Sequence, residues 1–268
     1  MVFFAGLPGT GKSLLIHQLS HLAHTLGRKV FLLQWDLSRP VFEAAPAGQR
    51  YPLIDGVTHV VIRRAVGLWA REKVATWSRA HAGRQNLLLG EAPLVGNRLI
   101  ELVTPADDAA EAALTAATCS FVLPVPSDGV RRHIESERRR RLQTPLHQRE
   151  LEDASPDVMA GSWRDLVATG RSLGVVASET ADDPPYQAET YQAIYERLLQ
   201  QRQVRVMSLD TLLPTRDMSV YDQPDGCELV LPRPDEVERW VLQAEAHPLP
   251  ESEGQVADVP PPRDSGER

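Results

Sequence analysis

Cysteine is nearly absent: Cys119 and Cys227 are the only two in 268 residues. Two thiols cannot build a disulfide framework, a multi-cysteine zinc site or an iron–sulfur cluster, and this usage suits a reducing compartment. Surplus positive charge is also missing, since 29 lysines and arginines face 36 acids for a net charge of −7. No global field is therefore available to hold a nucleic-acid backbone, and any polyanion must be met by a local patch. No apolar run approaches the roughly 18 residues that a membrane helix needs. The opening Met1-Val2-Phe3-Phe4 carries neither a basic segment nor a cleavage signal. The expectation is a soluble, cytoplasmic protein with no nucleic-acid or membrane partner, its oligomeric state left open. What is present is ordinary globular composition, 42% hydrophobic and 24% charged, which excludes a fibrous or wholly disordered chain.

Short β-like runs alternate with long amphipathic stretches, as in βαβ units around a parallel sheet. Strands are expected at Val2–Ala5, Lys29–Gln34, Asn86–Gly90, Cys119–Val125 and Val204–Leu209, with residues 227–231 as an added edge strand. Helical spacing of apolar residues marks Ser13–Leu26, Trp163–Ser172, Glu189–Gln203 and Pro234–Ala246. It also marks Gly56–Ala82, as one long helix or two joined ones, and a helix through Gly96–Val103. Arg131–Leu142 reads as a strongly charged helix, whereas Leu173–Ala177 is either a strand or a helix end. The fold class expected is α/β, three-layered, with a mostly parallel five-stranded sheet and helices on both faces. No repeat and no Gly/Ser linker divides the body, so one domain is expected over residues 1–246. Residues 247–268 hold five prolines, five acids and no Phe, Trp or Tyr, a composition that reads as a disordered acidic tail.

Gly6-Leu7-Pro8-Gly9-Thr10-Gly11-Lys12-Ser13 fits G-x-x-x-x-G-K-[ST] and lies between the first strand and the first helix. Glycines let backbone N–H groups turn toward phosphate oxygens, and a helix beginning at Ser13 and Leu14 adds unpaired N–H groups and its positive dipole end. Lys12 is expected on the β/γ-phosphates and the Ser13 hydroxyl on Mg²⁺.

At these eight residues the chain resembles the P-loop NTPases, and the loop is similar to that of their small-molecule kinase branch. A guanine-reading Asn-Lys-x-Asp segment and a strand ending in paired Asp-Glu are both missing. The lone Glu91 after the third strand resembles the acid of nucleoside kinases and zeta-toxin-like kinases, which implies that it holds Mg²⁺ through water or binds a substrate hydroxyl. The resemblance further implies that Asp36, at the end of the second strand, takes the proton of the attacking hydroxyl; the plain alternative is an Asp capping a turn. Trp35 beside it offers a stacking surface, and Arg39 is either an acceptor-side clamp or a surface residue.

The resemblance also implies an arginine-bearing lid after the fourth strand, over about residues 128–160. Arg131 and Arg138, seven apart, share a helix face and are its candidates for ATP phosphates, although a charge run is more often a solvated face. His17, His21 and His24 have metal-compatible spacings but lack the Glu of a zinc helix. His147, Trp163, Tyr186, Tyr191 and Tyr195 read as packing or lid-loop residues, Asn97 and Arg98 as helix surface or else as projecting toward the acceptor pocket, and Gly56–Ala82 as the source of that pocket. The implied activity is an ATP- and Mg²⁺-dependent kinase acting on a small hydroxyl-bearing metabolite. The alternatives are an ATPase coupled to a protein partner and a catalytically silent nucleotide sensor.

Overall fold

Four residues, Val2–Ala5, form β1, and their side chains alternate between two cores. Phe3 and Ala5 point to one face of the sheet and Phe4 to the other, the period of two that a strand imposes. The same alternation runs along β2 (Lys29–Leu33), where Phe31 and Leu33 join the first core and Val30 and Leu32 the second. The computed structural model describes residues 1–54, 56–213, 215 and 218–246. The sheet is completed by β3 (Asn86–Ala92), β4 (Ser120–Pro126), β5 (Val204–Leu209) and β6 (Glu228–Leu229). Its order is β5-β4-β1-β3-β2-β6, and every neighbouring pair is parallel.

Helices cover both faces, in keeping with a three-layer α/β arrangement. On one face lies α1 (Lys12–Thr25), whose Ile16 and Ala23 pack on Phe4, Val30, Leu32, Leu87 and Leu89. The larger core on the other face takes in α2 (Trp35–Ala44), α3 (Val60–Ala80), the single turn α4 (Glu111–Leu114), α6 (Pro156–Ser172), α7 (Ala188–Leu198) and α8 (Pro234–Ala246). Between β4 and α6 runs α5 (Asp128–Gln143), capped by the Ser127 side chain. Trp69, Tyr191, Tyr195 and Phe121 are fully buried in the larger core, each contributing on the order of 1.5–3 kcal/mol relative to an exposed side chain. Among the described residues no helix is long and apolar enough to cross a membrane.

Several expectations need correction. The sheet has six strands, not five, because the edge segment expected at 227–231 does pair, as Glu228–Leu229 beside β2. Glu91 lies inside β3 and not beyond it. Gly56–Ala82 contains one helix, α3, which starts only at Val60. Leu173–Ala177 is a turn, and α7 stops at Leu198, short of Gln203.

The helix expected over Gly96–Val103 does not form. Leu94, Asn97 and Leu99 all have left-handed φ values of 56–65°, an isolated bridge joins Leu94 to Arg98, and only Ile100–Leu102 makes a 3₁₀ turn. What holds this loop in place of helical hydrogen bonds is a set of arginines. Arg63 donates to the Gly96 carbonyl (2.7 Å), Arg71 to Asp108 and Glu111, and Arg202 to Glu111 and the Leu102 carbonyl. The acidic tail expected over 247–268 lies outside the described residues.

Candidate functional site

The chain leaves β1 through Gly6, Gly9 and Gly11, whose φ values of 140°, 78° and 84° are open to glycine at little cost. Gly9 shows a second constraint: a Cβ there would overlap the methyl of the buried Met159, so α6 closes directly over the loop. Thr10 Oγ1 donates to the Leu7 carbonyl (2.9 Å), and Lys12 Nζ folds back to the same oxygen at 2.7 Å. Gly11 begins α1 with no side-chain cap and no acid in the first turn. The N–H groups of that turn are thus left for a ligand, next to the positive end of the helix.

Two carboxyl groups approach this loop from adjacent strands. The β1–β3 register sets Phe4 beside Glu91 and Ala5 beside Ala92, and β2 flanks β3 on its other side. Asp36 follows two residues after Gln34, in the first turn of α2, and its backbone N–H reaches Glu91 Oε1 at 3.5 Å. Glu91 is buried and Asp36 exposed. Burial pushes the Glu91 carboxyl up to about 7; the Asp36 charge adds to this and Lys12 opposes it. Burial likewise lowers Lys12 to about 8, against the pull of Glu91, and Arg138 lowers it further. Lys12, Glu91 and Asp36 thus form one electrostatic cluster at the carboxyl ends of β1, β3 and β2. The connection out of β1 runs toward β2, whereas that out of β3 runs to β4 on the far side of β1. Open α/β sheets bind ligands outside such a reversal.

Next to the loop is a cavity of about 180 Å³ bounded by Gly9, Gly11, Lys12, Ser13 and Leu14 on one side. Val130, Ile134, Arg138 and Arg141 of α5 close the second side, and Leu209 at the end of β5 with Leu212, Leu213 and Val220 beyond it the third. Half-buried Arg138 donates to the Ala154 carbonyl at 3.1 Å and lies 3.9 Å from Asp153. Arg131 is placed elsewhere. Its guanidinium is buried, stacks over Tyr186 at 4.4 Å and donates to Glu135, and it does not line the cavity. The shared face of α5 therefore runs from the core at Arg131 to the cavity at Arg138, and the seven-residue spacing alone does not separate these environments.

Other expected positions fall as follows. Trp35 is buried in the larger core, so it presents no stacking face. Arg39 pairs with Glu43 at 3.3 Å. The rings of His17 and His21 lie 4.4 Å apart, but no group of three metal-binding side chains occurs among the described residues. Tyr191 and Tyr195 are core residues, and the Tyr191 hydroxyl rests against Gly6. Tyr186 is partly buried and donates to the Pro126 carbonyl. Trp163 is a core residue that donates to the Pro184 carbonyl, and His147 caps a 3₁₀ turn. The span Gly56–Ala82, expected to line an acceptor pocket, spends its charged residues internally: Arg64 on Glu101, Arg71 on Asp108 and Glu111.

Asp153, Tyr221 and Ser219, which neither a period nor a motif marks, also belong here. Asp153 accepts from the Tyr221 hydroxyl, and the Asp36 charge bears on both. Neighbouring Ser219 donates to Glu150 at 2.7 Å, so the segment after β5 is tied to the region after α5. Arg98, set on the reversed loop instead of a helix, is partly buried, and the Asp36 and Asp165 charges bear on it. The chain matches no protein-family model and no curated protein.

Proposed function

We propose that this protein is a P-loop kinase, transferring the γ-phosphoryl group of ATP to a hydroxyl of a small metabolite with Mg²⁺. The observation that carries the reading is the meeting of Lys12, Glu91 and Asp36 beside a glycine loop whose helix end is uncapped. The site fits a nucleotide: left-handed glycines and open N–H groups suit phosphate oxygens, and the apolar wall of Val130, Ile134 and Leu212 suits a base. It also fits the metal, since the Ser13 hydroxyl and the Glu91 carboxylate are the hard oxygen donors that Mg²⁺ takes. Bound there, Mg²⁺ would neutralise charge on the β- and γ-phosphates.

The chain's own residues have separate tasks. Lys12 leaves the Leu7 carbonyl for the phosphates, and Arg138 adds positive charge from the α5 side. Asp36 orients the acceptor hydroxyl in line with the γ-phosphorus. As the acceptor oxygen bonds to phosphorus, the bond to the β–γ bridging oxygen breaks, ADP departs, and the hydroxyl proton passes to Asp36. Such a base mainly positions the nucleophile, because phosphoryl transfer needs little covalent help. Met159 and α6, seated over Gly9, cover one side of the loop.

The test is ADP production from ATP and Mg²⁺ across a panel of hydroxyl compounds, with Lys12→Ala as the blank. Acceptor-dependent ADP release that falls about 10²–10⁴-fold in Asp36→Asn is expected. Release that no acceptor changes would instead indicate an ATPase, and tight ATP binding without turnover a sensor.

A further inference from the structure

Two histidines of α1 have no part in phosphoryl transfer. His17 and His21 are four residues apart on one face of the helix, the spacing at which paired imidazoles chelate a metal ion. His17 is only 4% exposed, and its Nδ1 has no hydrogen-bond partner. Leaving a buried ring nitrogen unpaired costs about 1–3 kcal/mol. His21 is exposed, and its Nε2 lies 3.0 Å from the Asp222 carbonyl oxygen. A carbonyl can only accept, so this nitrogen carries the proton and the lone pair of the neutral ring is left on Nδ1. A metal-ligating histidine is held in the same way: its second nitrogen donates to a carbonyl or carboxylate, which fixes the tautomer and the ring orientation.

The two rings are also close enough to share an ion. Their centres are 4.4 Å apart and their planes inclined at 47°. Two imidazoles bound to one metal at about 2.1 Å, with about 90–110° between them, have ring centres roughly 4.5–5.2 Å apart. An open cleft borders both rings, lined also by Leu14, Gln18, Met218 and Asp222. The Ser219 N–H donates to Asp222 Oδ2 at 3.0 Å, which steadies the segment that brings this acid to the cleft. Burial lowers the His17 pKa and the neighbouring His21 lowers it further, so the ring favours the neutral form that metals take. Among the described residues no third side chain completes a closed set.

We propose that His17 and His21 form a reversible site for a borderline divalent transition-metal ion, typified by Zn²⁺, with water in its remaining positions. Imidazole suits Zn²⁺, Cu²⁺ and Ni²⁺, whereas Mg²⁺ takes oxygen donors. The site is therefore separate from Ser13 and Glu91 and stands apart from the kinase reading. Leu14 and Met218 line both this cleft and the cavity beside the phosphate loop, so an ion held here sits against the wall of that cavity.

The test is a Zn²⁺ titration of the metal-stripped full chain in excess Mg²⁺, followed by calorimetry and thermal unfolding. Binding with a rise in Tm that a chelator reverses is expected. His21→Gln, at an exposed position, is expected to weaken binding about a hundredfold or more, because losing a ligand costs at least as much as losing an outer-shell partner. Cu²⁺ is the spectroscopic probe: electron paramagnetic resonance should show two imidazole nitrogens on the ion in the native chain and one in His21→Gln. His17→Gln should give the same reduction, and the exposed variant decides the matter by itself if the buried one does not fold. His24→Gln and Cys227→Ser should leave affinity and spectrum unchanged. No Zn²⁺ binding by the native chain, native affinity in His21→Gln, or loss of binding in His24→Gln or Cys227→Ser overturns the proposal.

Discussion

Replacing Glu101 with glutamine should flatten part of the pH dependence of stability. Glu101 is buried behind the loop after β3, with Oε1 accepting from Arg64 at 2.8 Å and Oε2 without a partner. Burial pushes its carboxyl from 4.5 up to about 7, against the opposing charge of Arg64. The folded protein therefore holds this proton more tightly than the unfolded chain, so stability falls as pH rises through the interval between 4.5 and 7. A shift of that size at about 1.36 kcal/mol per pH unit amounts to about 3 kcal/mol, present below the lower value and lost above the upper one. Glutamine keeps the acceptor for Arg64, and its unpaired amide adds an offset that does not vary with pH. Urea unfolding of both proteins between pH 4 and 8.5 then gives a difference curve. Glu91, shifted the same way, titrates in both and cancels. The variant should gain about 3 kcal/mol on the native protein between the two ends. Parallel curves would mean that Glu101 is ionised in the fold and satisfied by Arg64, which would refute the desolvation argument.

Arg138→Ala should weaken ATP binding at least tenfold in a titration, whereas Arg131→Ala should leave nucleotide affinity within about twofold and lower stability instead, because Arg131 packs on Tyr186 away from the cavity. Gly9→Ala meets both a left-handed φ and the Met159 methyl; calorimetry should show a loss of about 1–3 kcal/mol together with lost nucleotide binding. Arg202→Ala removes the donor to the buried Leu102 carbonyl and one of the two guanidinium partners of Glu111, Arg71 remaining, and chemical denaturation should record a loss of about 1–3 kcal/mol.

What the sequence determined by itself was local. Short β-like runs placed β1 and β5 to the residue, β1 because four consecutive apolar residues suit a strand covered on both faces. The glycine-rich connection from Gly6 to Ser13, between β1 and α1, was legible as well, because its residues are consecutive in the chain. Even the edge strand at Glu228–Leu229 was legible, from its apolar run alone. What only the tertiary structure decided was anything that depends on which strands are neighbours. Asp36 and Glu91 are 55 residues apart in sequence and meet because β3 sits between β1 and β2. Arg131 and Arg138 have the same spacing signal, yet one is core and the other lines a cavity, because only the packing of Tyr186 against the first turns of α5 tells them apart. The loop carrying Arg98 was misread as a helix for the same reason. Its apolar residues mimic a helical period, while the left-handed turns at Leu94, Asn97 and Leu99 are imposed by Tyr195 and Arg63, about 30 to 100 residues distant in the chain.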